Sequence, residues 1–174
     1  MSKITVFRTI YSIAALALSV NVAKAQSSSD WSRNSAGAYG GVFQWDGSGT
    51  GTSWIAGARG TRTLVGQWLL GEGSFNLGRM REQLRSSDTQ FQIADAQLQF
   101  QAPFSRIRPY LGVGGGEMWA SGASRWHSQS PSAATGIRAF VARESVIQVE
   151  LRMRGWKDYH AGAASWTVGL SRQF

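Results

Sequence analysis

The chain has no cysteine, only three lysines and three prolines, no glycine before residue 37, and no uninterrupted apolar run long enough to form a spanning helix. Each shortage excludes something. Without cysteine there is no disulfide framework to hold an exported fold and no thiolate to bind a metal. A bilayer-spanning helix needs about 20 predominantly apolar residues, so a helical membrane protein is excluded. Charged residues make up 16% of the sequence against a usual figure of about 25%, which is unlike the surface of a typical cytosolic protein. Disorder is excluded from the opposite side, because eight Trp, eight Phe and four Tyr are too many for a chain that buries nothing. A length of 174 residues bounds the chain to one domain of ordinary size.

Residues 1–25 read as a secretory signal peptide. Lys3 and Arg8 form a positive n-region, Ile10 to Val20 an apolar h-region, and Ala23-Lys24-Ala25 an A-x-A cleavage site. The mature chain, 26–174, then starts at Gln26. Without Lys3, Arg8 and Lys24 the formal charge falls from +8 to +5 over 149 residues. Part of the basicity therefore belongs to the signal, and a nucleic-acid-binding reading loses most of its support.

Helix signals are nearly absent from the mature chain, and strand signals recur. The pattern predicts strands at 36–45, 53–62, 67–76, 89–100, 108–119, 132–140, 146–156 and 164–174. Each is close to the 9 to 11 residues, roughly, that a tilted strand needs to cross a bilayer. Connections after the second, fourth and sixth strands are short. Those after the first, third, fifth and seventh include longer stretches, such as Asn76 to Asp88 and Ala120 to Pro131. Short turns on one side and longer loops on the other are what an up-and-down meander across a membrane produces.

The seventh strand alternates most clearly. Ile147, Val149, Leu151 and Met153 fall on one face, and Gln148, Glu150, Arg152 and Arg154 on the other. A soluble ligand-carrying barrel turns the apolar face inward, whereas a membrane barrel turns it outward. Three features favour the outward choice. Aromatic residues collect toward strand ends, with Trp45, Trp54, Trp119, Trp156 and Trp166 on the loop side and Trp68, Phe100, Phe104, Tyr110, Phe140 and Phe174 on the turn side. Mid-strand charges balance: Arg59, Arg138, Arg152 and Arg154 against Glu72, Asp95, Glu117 and Glu150. Eight strands enclose a lumen just wide enough for side chains, so these eight residues are expected to pair as a polar interior network. The last strand places Trp166, Val168, Leu170, Arg172 and Phe174 on one face, with Arg172 close enough to the turn side to reach water. In the fifth strand facing stays open, since Leu111, Val113 and Glu117 share a parity.

Glycine-punctuated strands such as Gly37-Ala38-Tyr39-Gly40-Gly41-Val42, the segment Arg108-Pro109-Tyr110-Leu111-Gly112-Val113-Gly114-Gly115-Gly116, and the terminal run Trp166 to Phe174 resemble small outer-membrane β-barrel proteins of the OmpA/OmpX type. The resemblance covers the whole mature chain. It implies an eight-stranded antiparallel up-and-down transmembrane β-barrel in a Gram-negative outer membrane, with its loops facing outward. It also implies that Phe174 belongs to the signal read by the outer-membrane assembly machinery. It implies little about activity.

Other chemistry finds little footing. Gly112 to Gly116 lacks the Lys-Ser/Thr and following helix of a phosphate-binding loop, and close strand packing accounts for it better. His127 and His160 are the only histidines, are read as lying in different loops, and have no ligand partners at metal spacing. A lipid A-modifying enzyme would need a nucleophile, a base and an orienting acid. His127 and Ser128 stand side by side, with Glu144 or Asp158 as acids, but adjacent residues of a strand point to opposite faces. Arg79, Arg81 and Arg85, read as a loop after the third strand, suit bidentate contacts to lipopolysaccharide phosphates, with a solvated loop as the alternative. The expected protein is a monomeric, non-enzymatic outer-membrane barrel without cofactor, metal or large pore, in a structural or surface-interaction role. The alternatives are a lipid A-modifying enzyme and a soluble secreted small-ligand-binding barrel.

Overall fold

A computed structural model describes residues 34–45, 52–81, 88–103, 106–122, 125–142, 144–156 and 161–174. Eight antiparallel strands make up the fold: β1 (Asn34–Trp45), β2 (Thr52–Val65), β3 (Leu69–Arg81), β4 (Asp88–Gln101), β5 (Ile107–Ser121), β6 (Trp126–Ala142), β7 (Ser145–Trp156) and β8 (Ala161–Gln173). Each strand pairs with the next, and β8 pairs with β1 to close the barrel. Closure leaves no strand edge with unpaired backbone groups, the condition that hydrocarbon imposes on any sheet it surrounds. Following the register once round the wall returns to β1 displaced by about ten residues, so the strands are strongly tilted.

At the turn end the connections are tight. Gly66 adopts a positive φ of 52° between β2 and β3, a conformation that costs glycine nothing. Gln173 donates its backbone N–H to Glu144 O at 2.8 Å, and Phe174 donates to Asn34 O at 3.1 Å, so the last strand is tied on both sides.

All eight strands are longer than the sequence pattern predicts, and two of them run well into stretches where loops are expected. β3 continues through Arg79 to Arg81, where a loop is expected, and β6 begins at Trp126 rather than near 132. The reason for the second is pairing: Trp126 to Pro131 register against Ala120 to Gly115 of β5, while pairing to β7 starts only at Ser132. Pro131, which cannot donate an N–H, therefore sits where β6 has a partner on one side.

Candidate functional site

The wall is apolar outside and polar inside. On β7, Ile147 and Val149 are 37% and 45% exposed, whereas Glu150 and Arg152 are each 2% exposed. Leu151 shares the outward parity but is only 7% exposed, in register between Thr135 and Trp166. Leu111, Val113, Val168 and Leu170 continue the outward apolar surface. No soluble carrier of an apolar guest has this arrangement, because its lumen would have to bury the ions around the guest.

Inside, four arginines and three carboxylates form one network of ion pairs. Arg152, central to it, contacts Glu72, donates to Asp95 at 3.2 Å and pairs with Glu150 at 2.9 Å. Arg154 reaches Asp95 at 2.7 Å, and Arg59 pairs with Glu150 at 3.3 Å and Glu72 at 3.6 Å. Neutral donors satisfy more of the carboxylate lone pairs: Tyr110 donates to Glu150 at 2.6 Å and Asn76 to Asp95 at 3.4 Å. Arg59 also lies over the Tyr39 ring at 3.8 Å. Arg138 joins the network through Glu72 at 3.8 Å, and mutual pairing of this kind is how charge is tolerated away from water.

Seven of the eight residues expected in the interior, Arg59, Glu72, Asp95, Arg138, Glu150, Arg152 and Arg154, point inward and are buried. Glu117 does not. It is exposed on the outer face, opposite Ala94 and Gln129, which corrects the expectation. The physical reason is strict alternation: buried Met118 and Ala120 fix the parity of β5, so Glu117 shares the face of Leu111 and Val113. The same parity sends Arg108 inward, where it is 4% exposed. Sequence reasoning missed Arg108, whose inward parity follows from its sharing a face with the buried Tyr110 and Met118.

Toward the loop end the interior changes from ionic to apolar. Phe43, Ile55, Phe91, Ile93 and Met118 pack together, with Trp45 and Trp126 against them at a centroid separation of 5.6 Å. These rings cap the lumen above the ion cluster. Trp45 is thus an interior residue, as are Tyr110 and Phe140 at the other end, and Trp166 lies among Val42 and Leu151 within the apolar band. Of the aromatic residues read as two girdles, Trp54 and Trp119 near the loop end and Trp68, Phe100 and Phe174 near the turn end are exposed. Phe104 lies outside the described residues.

Arg79 is exposed on the outer face, in register with Trp54 and Gln90, within β3 rather than in a loop. Arg81 closes the same strand, and Arg85 lies outside the described residues. His127, expected in a loop, is on β6 and exposed, while Ser128 is buried with its hydroxyl donating to Gln129 O at 3.3 Å. The two face opposite sides of the wall, so no nucleophile and base meet there. His160 and Asp158 lie outside the described residues. Among the described residues no group of three potential ligands is placed to hold a metal.

No known protein-family model matches the chain, and no curated protein sequence matches it. Solved structures do. Neisserial surface protein A is similar with a TM-score of 0.72 at 15% identity, covering 82% of this chain and 98% of that one. Ail, the attachment invasion locus protein of Yersinia pestis, aligns with a TM-score of 0.62 at 13% identity, over 83% and 99% of the two chains. The N-terminal β-barrel domain of Pseudomonas aeruginosa OprF gives 0.62 at 11% identity, over 82% and 99%. At such identities the likeness is one of fold, and it agrees with the inverted wall: the chain has the fold of the small eight-stranded outer-membrane β-barrels of the OmpA/OmpX-like type.

Proposed function

We propose that this chain is an integral outer-membrane protein with a structural or surface-interaction role, exported by residues 1–25, cleaved near Ala25 and inserted as a monomer with its turn end in the periplasm. The observation that carries the reading is the inverted wall, with Val149 and Leu170 outward and the Arg152 cluster sealed within. The ion cluster and the aromatic cap obstruct the lumen, which supports a narrow polar core without a large pore. Two of the similar structures are named for the cell surface and for attachment, which suits a role at the loop end.

Its partners on this reading are outer-membrane lipid, lipopolysaccharide and the assembly machinery that reads the terminal strand with Phe174. Arg79 and Arg81 extend β3 toward the loop end, where their guanidinium forks would meet lipopolysaccharide phosphates together with Arg85. Expression with the signal intact, followed by fractionation and electrophoresis with and without boiling, tests the location. A detergent-extracted membrane band whose migration changes on heating is expected, and a freely soluble periplasmic product would refute the reading. Replacing all three arginines with Gln should weaken lipopolysaccharide binding, and unchanged affinity would remove that contact from the proposal.

A further inference from the structure

The outer wall is not uniformly bulky. Ala36, Gly60, Gly73 and Ala96 are successive cross-strand partners on β1 to β4, all exposed on the outer side and all in the half of their strands nearer the turn end. They line a groove of about 540 Å³ together with Arg62 and Phe174, and the surface it presents is mostly apolar. Phe75 stands two residues from Gly73 on one flank, and Leu98 two residues from Ala96 on the other, both exposed.

Packing does not demand glycine at the centre of this row. At Gly37, Gly57 and Gly116 an added Cβ would stand within 2.3 Å of a backbone carbonyl oxygen, so close strand approach requires them. At Gly73 it would meet nothing within 4 Å, and at Gly60 only Ser35 O at 3.9 Å. Glycine weakens a strand interior and offers no side chain to pack, so what these two glycines contribute is open space.

Arg62 gives the groove a charged end. It is exposed, pairs in the ladder with Asn34 and Gly71, and stands three residues before the end of β2, at the turn-side boundary of the wall. Arg172 at the same end is neutralised by Glu144 at 2.8 Å, whereas among the described residues no carboxylate pairs with Arg62. An arginine stem can lie along apolar surface while its guanidinium fork reaches the interface and takes a phosphate.

We propose that the groove holds one acyl chain of an anionic phospholipid in the turn-side leaflet, with the lipid phosphate on Arg62 and the chain passing over Gly60 and Gly73 beside Phe75. A phosphodiester whose headgroup carries no ammonium keeps a net negative charge to answer the arginine, which favours the anionic class over a zwitterionic one. The inference deepens the outer-membrane reading above and rests on it.

Because the chain has no cysteine, Phe75→Cys beside the groove and Val149→Cys across the barrel can each carry a single fluorophore. The labelled proteins are placed in phosphatidylcholine vesicles in which a minor share of the lipid is brominated phosphatidylglycerol or brominated phosphatidylcholine. Quenching by phosphatidylglycerol is expected to be favoured at 75 relative to 149 by about fivefold, the effect of one arginine at a lipid surface. Arg62→Gln should remove that preference. Gly73→Leu and Gly60→Val, which fill the groove and keep the cation, should remove it as well. Arg106→Gln, which removes an exposed turn-end cation that does not line the groove, should leave it intact. Equal preference at 75 and 149, a preference kept in R62Q or in both groove-filling variants, or its loss in R106Q would overturn the proposal. Absence of quenching by either lipid at both sites would instead refute the membrane reading, and this inference with it.

Discussion

Arg152→Met removes the cation on which the buried cluster converges. The guanidinium touches Glu72, Asp95 and Glu150 and donates to Ser74 at 3.2 Å, all within the barrel. Each carboxylate keeps a second arginine, since Arg59 serves Glu72 and Glu150 and Arg154 serves Asp95. Arg138 also stands 3.8 Å from Glu72, so the variant weakens the compensation of three acids and isolates none of them. Removing one partner of a buried ion pair costs roughly 3 to 5 kcal/mol, and shared compensation places the expected loss near the lower end, about 3 kcal/mol. The exposed pair of Arg172 and Glu144, at 2.8 Å, is the internal control, because exposed pairs contribute about 0 to 1 kcal/mol. Urea titration of the barrel in lipid vesicles, read by the heat-dependent gel shift, measures both. A double-mutant cycle of Arg152 with Glu72 should give a coupling of roughly 1 to 3 kcal/mol, against less than about 1 kcal/mol for Arg172 with Glu144. An R152M loss no larger than that of R172M would mean that water reaches the cluster, and the sealed interior would be wrong.

Glu117→Gln should change stability by no more than about 0.5 kcal/mol, as expected for an outward and exposed carboxylate, whereas Glu150→Gln should cost roughly 3 kcal/mol in the same titration. Equal losses would put Glu117 back among the interior ions. Gly116→Ala should abolish or severely reduce the folded band, since its Cβ would stand 1.9 Å from the carbonyl oxygen of Ala94. Gly73→Ala, where an added Cβ meets nothing within 4 Å, should fold like the parent, and an equal loss at both would show that strand approach is not what requires the glycine at 116.

The period-two pattern makes most of the architecture legible before any coordinates. β7 is the clearest case: four apolar and four polar residues alternate without a break, because one face meets hydrocarbon and the other meets the ion cluster. Interior membership follows wherever such alternation is clean, as at Arg59, Glu72, Asp95 and Arg138. It fails on β5 because glycines at 112, 114, 115 and 116 carry no polarity, leaving Glu117 and Arg108 without a local reference for parity. Only the buried Tyr110 and Met118 supply it.

The apolar cap was hidden for a related reason. Phe43, Phe91 and Met118 are apolar residues on an otherwise polar inner face, and a one-dimensional pattern assigns apolar side chains to lipid. Their meeting depends on the barrel closing β1, β4 and β5 around one lumen, a non-local fact. Strand ends behave likewise: Arg79 looks like a loop residue in sequence, and only the register with Trp54 and Gln90 keeps it in the sheet.

The central claim concerns which face of the wall meets acyl chains. Because the chain has no cysteine, single thiols can be placed at will: Val149→Cys and Val168→Cys on the outer face, and Gln148→Cys on the inner face. In vesicles of lipids brominated along their acyl chains, a fluorophore at 149 or 168 should be strongly quenched and shielded from aqueous iodide. At 148, a site 2% exposed, the thiol should label poorly while the barrel is folded and become reactive on unfolding. Iodide quenching at 149 and 168 with no effect of the brominated chains would contradict the account.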